Sequence, residues 1–160
     1  MLGIKLICVG KMREKYYIEA FREYEKRLGA YCRFELLEVP ECRLPEAPSP
    51  GEIAAGLEKE AEVVLKGIPQ GSYVAALCVE GKKLPSEGIA AMIRERENSG
   101  RPKLCFLIGG SYGLSERVKR AADCRLSMSD MTFPHHLARV MLMEQIYRGF
   151  KICEGSAYHK

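Results

Sequence analysis

The chain has no Cys-x-x-Cys pair, no Gly-Lys-Ser/Thr phosphate loop and no Gly-x-Gly-x-x-Gly fingerprint. These absences exclude zinc-ribbon ligand spacing, a P-loop and the usual dinucleotide-binding turn. No apolar run approaches the ~20 residues that cross a bilayer. Met1 to Lys5 lacks the long apolar core and cleavage site of a secretory leader. Internal repeats and low-complexity tracts are missing too, and no serine or cysteine is placed as a nucleophile with a base and an orienting group. A cytoplasmic protein with no membrane span and no metal is expected.

What is present fits one compact domain over residues 1–160, long enough to bury a sizeable core. Seven cysteines are scattered at 8, 32, 42, 78, 105, 124 and 153, several inside apolar runs. Their odd number and lack of pairing point to free thiols in a reducing compartment. The formal net charge of +4 is small, yet Lys5, Lys11, Arg13, Lys15, Arg22, Lys26 and Arg27 crowd the first part of the chain. Such a surface suits RNA phosphates, and it equally suits solvated helix faces.

Strand-like and helix-like segments alternate. Strands are expected at Ile4–Val9, Cys32–Val39, Tyr73–Val79, Leu104–Ile108 and Cys124–Ser127. Helices are expected at Glu14–Leu28, Glu52–Lys66, Ser86–Asn98, Glu116–Ala122 and from Pro134, in the first turn, to Phe150. Tyr17, Phe21, Tyr24 and Leu28 form the apolar stripe of the first helix. Pro40, Pro45, Pro48 and Pro50 make the stretch from Val39 to Gly51 a mobile loop. This alternation predicts an α/β layer fold with a mainly parallel sheet. The last helix carries Leu137, Val140, Met141, Leu142, Met143, Ile146, Tyr147 and Phe150 nearly all round it. One such face on the sheet leaves another for a partner, so a homodimer is expected.

Two small-residue loops follow strands and precede helices: Gly109-Gly110-Ser111-Tyr112-Gly113 and Leu126 to Phe133. Glycine lets backbone amides approach a ligand, and Ser127, Ser129 and Thr132 between Met and Phe suit a small polar ligand such as an adenine ring. Tight turns and helix caps explain the same residues, and these alternatives stay open. Candidates for proton chemistry are His135, His136, His159 and Asp130. At a helix start, protonation of His135 is disfavoured by the dipole. Tyr158-His159-Lys160 ends the chain as either a disordered tail or a base-stacking one.

Taken in order, Ile108-Gly109-Gly110-x-x-Gly113-Leu114, Leu126-Ser127-x-x-x-Met131-Thr132-Phe133-Pro134-His135-x-Leu137-x-Arg139, Glu144-Gln145-x-Tyr147-Arg148 and Tyr158-His159-Lys160 resemble the RlmH family of large-subunit ribosomal RNA methyltransferases, in the SPOUT superfamily. Ile4–Gly10 and Leu77-x-x-x-Gly81-Lys82 agree as well. The resemblance implies an α/β fold with a C-terminal trefoil knot and a homodimer. It implies S-adenosylmethionine as methyl donor, and as substrate the N3 of a pseudouridine in helix 69 of bacterial 23S rRNA, on the large subunit or the assembled 70S ribosome. By position, Leu77, Gly109 and the run Met128, Ser129, Asp130, Met131, Thr132 and Phe133 hold the donor. As the titratable, cationic and stacking groups near that pocket or the tail, His135 or His159 is expected to assist loss of the N3 proton, and Arg139 and Tyr158 to position the RNA. Two rival readings are a non-catalytic ribosome- or RNA-binding protein, and another α/β enzyme taking a nucleotide phosphate at Gly109–Gly113.

Overall fold

The structure, a computed structural model, describes Met1–Lys160. Five parallel strands form one sheet in the order β2-β1-β4-β3-β5. They are β1 (Gly3–Val9), β2 (Arg33–Val39), β3 (Tyr73–Lys83), β4 (Lys103–Ile108) and β5 (Cys124–Ser127). The helices between and after them are α1 (Lys15–Leu28), α2 (Pro50–Gly67), α3 (Ser86–Glu97), α4 (Glu116–Ala121) and α5 (His135–Cys153).

Strand alternation sorts the core into two layers. Ile4, Leu6 and Cys8 of β1, with Leu104, Phe106 and Ile108 of β4, point toward α1, α3 and α5 and meet Phe21, Ile93, Leu142 and Ile146. Ile7, Val9, Cys105 and Leu107 point the other way, onto Ala61 and Val64 of α2 and Val118 of α4. Both faces are covered, so the central strands read as unbroken apolar runs. The thiols of Cys8, Cys32 and Cys105 lie in these layers, and burial pushes each up to about 12, which makes them inert fillers.

Several boundaries differ from the sequence expectation for local reasons. The proline-rich stretch ends at Ser49, whose hydroxyl accepts from the Glu52 N–H at 3.2 Å while its own N–H donates to the Glu52 carboxylate at 3.1 Å. This capping box starts α2 at Pro50, inside the supposed loop. The loop is also anchored, because the Cys42 N–H donates to buried Glu60 at 2.8 Å. Pro134 stands just outside α5 as its N-cap, and not in its first turn.

The apolar girth of α5 has an explanation within one chain: the helix is wedged between α1 and α3 while it also covers the sheet. Strand β3 runs past Val79 because both Leu77 and Lys82 pair with Leu126 of β5. The residues between them loop outward, and Gly81 comes so close that a Cβ there would sit 2.7 Å from the Leu126 carbonyl carbon. Only glycine permits that approach.

Candidate functional site

Parallel strands bring their following loops to one edge, and a ligand site is expected where neighbouring strands depart in opposite directions. Here that point lies between β1 and β4, and it is filled. Arg139, 0% exposed, donates from Nη2 to the carbonyls of Val9 (3.0 Å) and Gly10 (2.6 Å). Its Nη1 meets Glu38 at 2.8 Å, and the same carboxylate oxygen accepts the Met12 N–H at 2.9 Å. From the proline-rich loop, Glu41 accepts the Ser111 N–H at 2.8 Å. Arg139 is therefore a tie beneath the site, and its buried guanidinium has no surface from which to touch RNA. The sequence pattern could not reveal this, since nothing local to Arg139 specifies burial.

The open space is displaced toward β3 and β5. A cleft of about 820 Å³ lies over the carboxyl ends of β4, β3 and β5. Three segments build it. Leu77 to Glu80 contribute the outward excursion of β3, Ile108 to Leu114 the glycine loop, and Leu126 to His135 the turn into α5. Leu77, Gly109, Met128, Ser129, Met131, Thr132, Phe133 and His135 all line it; Asp130 instead faces out and pairs with Lys83 at 2.6 Å. Cys78, Val79, Glu80, Lys119 and Ala138 are lining residues that the sequence did not single out. The Gly81-Lys82 turn was the one available hint of the first three.

Both loops spend some amides within the chain and leave others without a partner. In the glycine loop, Gly113 donates to the Gly110 carbonyl at 3.0 Å and Ser111 to Glu41. A carboxylate thus occupies the amide that a nucleotide phosphate would need, which argues against the phosphate-binding alternative. Around the other loop, Ser127 Oγ donates to the Ser129 carbonyl at 3.1 Å and the Met131 N–H to Ser129 Oγ at 3.0 Å. The N–H groups of Met128, Ser129, Asp130, Thr132 and Phe133 have no partner in the chain. Unpaired donors beside apolar side chains suit a flat, hydrogen-bonding ligand.

His135 lies at the cleft wall. Burial chiefly, then neighbouring His136, holds its pKa below the ordinary 6.5, so it is neutral at physiological pH. The lowering predicted from the helix dipole is present, and its leading cause is desolvation. His136 turns away and its Nδ1 meets Glu14 at 3.0 Å. The tail is ordered and not frayed. The Tyr158 hydroxyl donates to Glu144 at 2.9 Å, its ring lies against Tyr147 and under Arg148, and His159 meets Glu87 at 2.9 Å and Arg148 at 3.3 Å. Tyr158 and His159 line no part of the cleft. At 1.5 Å per helical residue, Glu144 stands about 9 Å along α5 from Ala138 at the cleft wall. One chain therefore does not bring the tail to His135. No group of three His, Cys, Asp or Glu is placed to hold a metal, and no helix is long and apolar enough to cross a membrane.

The family described as "Predicted SPOUT methyltransferase" matches residues 2–159. The chain belongs to the SPOUT methyltransferase family. Among its relatives, a Methanococcus maripaludis protein named "Putative ribosomal RNA large subunit methyltransferase H" is 45% identical over 159 residues, spanning 99% of this chain and 100% of that protein. Two solved structures share the fold of this chain at 13% identity and a TM-score of 0.57. One, titled as a probable methylase family protein from Haemophilus influenzae, aligns over 100% of this chain and 72% of its own. The other, titled as a probable methyltransferase from Bordetella pertussis, aligns over 91% and 93%.

Proposed function

We propose that this protein methylates the N3 of a pseudouridine in helix 69 of 23S rRNA, on the assembled ribosome, as a cytoplasmic homodimer using S-adenosylmethionine. The observation that carries the reading is the cleft itself. Its unpaired amides at Met128, Ser129, Thr132 and Phe133 and the apolar surfaces of Leu77, Leu126 and Phe133 fit an adenosyl group. The rRNA target is supported by the named relative and by the family motifs.

S-adenosylmethionine, when bound, supplies an electrophilic methyl group. The chain's residues have simpler tasks. The two loops fix the donor's orientation and exclude water, and alignment supplies much of the rate in such a transfer. His135, neutral and at the wall, is a group placed to accept the N3 proton, while the other acceptor in the cleft, Glu80, is paired with Lys119. Arg139 acts by holding Val9 and Gly10, and so the floor beside the site. Tyr158 and His159 lie too far from the cleft within one chain, which favours a partner's tail completing the site. The close passages at Gly81 and at Gly109 are compatible with a C-terminal trefoil knot, the topology proposed here.

Calorimetry tests the donor: heat with S-adenosylmethionine and none with ATP or NAD is expected, and silence with the first sinks the reading. Mass-spectrometric mapping of 23S rRNA from a strain lacking the protein tests the target, with loss of one N3-methylpseudouridine expected. In a mixed dimer, one subunit lacks residues 158–160 and the other carries a disabled cleft. Recovered activity is expected if the tail acts across the seam.

A further inference from the structure

Between β1 and the second turn of α1, charge is segregated by direction. The carboxylates near this segment face inward or sideways: Glu38 to Arg139 and Met12, Glu41 to Ser111, Glu14 to His136. The cations face out. Lys11 and Arg13 are exposed and have no carboxylate within ion-pair distance, and Lys15 has only a 3.9 Å contact with Glu19. Tyr16 beside them is 65% exposed, with its ring edge-on to Tyr17.

Stability alone would not choose this arrangement. The N-terminus of a helix favours acids, yet the one at the N-cap of α1, Glu14, turns to His136 without capping, and the first turn begins with Lys15 and has no acid. Local rules broken in this way tend to mark function. The backbone beneath is held firmly: Gly10 N–H donates to Val39 at 2.7 Å, Arg139 grips Val9 and Gly10, and Met12 is buried. Lys11 and Arg13 are thus displayed on either side of a fixed residue. The Glu14–His136 contact ties the segment to the residue next to His135, at the cleft wall.

We propose that Lys11, Arg13, Lys15 and Tyr16 form the docking surface for the substrate RNA, the three cations on its phosphates and the tyrosine stacked on a base. The inference rests on the reading of the protein as an RNA methyltransferase and deepens it by naming the surface. A rigid, uncompensated set of cations releases counterions on contact with phosphates, and an exposed aromatic face accepts any unstacked base.

The test is cosedimentation with purified 70S ribosomes over a range of KCl concentrations. Lys11→Ala/Arg13→Ala/Lys15→Ala is expected to bind about 10- to 100-fold more weakly at moderate salt, and the slope of log K against log salt should flatten by about 2. Tyr16→Ala should cost about tenfold with the slope unchanged. The charge-preserving Lys11→Arg/Arg13→Lys/Lys15→Arg should bind nearly as wild type. Arg101→Ala/Lys103→Ala, altered at the opposite end of the strands, should do the same. Calorimetric affinity for S-adenosylmethionine should be unaltered in every variant. Equal affinity and slope for the triple alanine variant and wild type would overturn the surface while leaving the methyltransferase reading intact. Wild-type protein that ignores ribosomes, or prefers anionic lipid vesicles to them, would overturn both.

Discussion

The glycine loop and the Met128–Phe133 loop look alike in sequence and behave differently in the fold. Gly109 is walled in: a Cβ there would lie 2.3 Å from the Gly113 carbonyl carbon. In its loop the Ser111 and Gly113 amides are spent on Glu41 and Gly110, while those of Gly110 and Tyr112 have no partner in the chain. The other loop leaves five amides unpaired and shows Met131 at 74% exposure. One loop is a wall whose shape is fixed by backbone crowding. The other is an arm with five N–H donors unpaired within the chain. Similar composition thus gives a crowded turn in one place and an exposed one in the other.

The largest expected effect breaks the wall. Gly109→Ala should destabilise the protein by about 3 kcal/mol, at the upper end of overpacking costs, in a urea titration. An effect below about 1 kcal/mol would mean the wall yields and the contrast is false. Next, Phe133→Ala should raise the S-adenosylmethionine dissociation constant about tenfold, or about 1.4 kcal/mol, while the urea midpoint shifts little. An opposite outcome, with stability lost and affinity kept, would make the arm a packing element. Third, Gly113→Ala meets open space but holds φ at +77°, so only backbone strain opposes it. About 1 kcal/mol of stability is expected to be lost, clearly less than at Gly109.

The smallest effect concerns pH. His135 has its pKa depressed in the fold, so the unfolded chain binds its proton more readily. Stability from this group is present above its ordinary value of 6.5 and is lost as pH falls through the lower folded value. Thermal midpoints of wild type should therefore decline more than those of His135→Gln below pH 6.5. Parallel declines would show that His135 is not desolvated beside the arm.

Much of this was legible in the chain. The run Leu104 to Ile108 flanked by Lys103 and Gly109 allows little but a buried strand, and Cys124 to Ser127 was placed to the residue. The cleft residues Gly109, Met128, Ser129 and Met131 to Phe133 announced themselves by loop chemistry and family motif together, while Asp130, named with them, faces out. Arg139 did not, because a cation on an apolar helix reads as a surface group until its carbonyl partners, some 130 residues away, are known. Glu41 was hidden for the same reason, among prolines that suggested mobility. The tail looked free since its anchors, Glu144 and Glu87, lie on two different helices.

The sequence by itself determined the alternation of elements, the α/β class with its mainly parallel sheet and the family, because hydrophobic period, turn chemistry and motif order are local properties. Only the tertiary structure decided that the gap between β1 and β4 is plugged, that β3 doubles back on Leu126 and that acids turn inward beneath Lys11 and Arg13. Those outcomes depend on which distant backbone groups and charges meet, and that follows from the order of strands in the sheet.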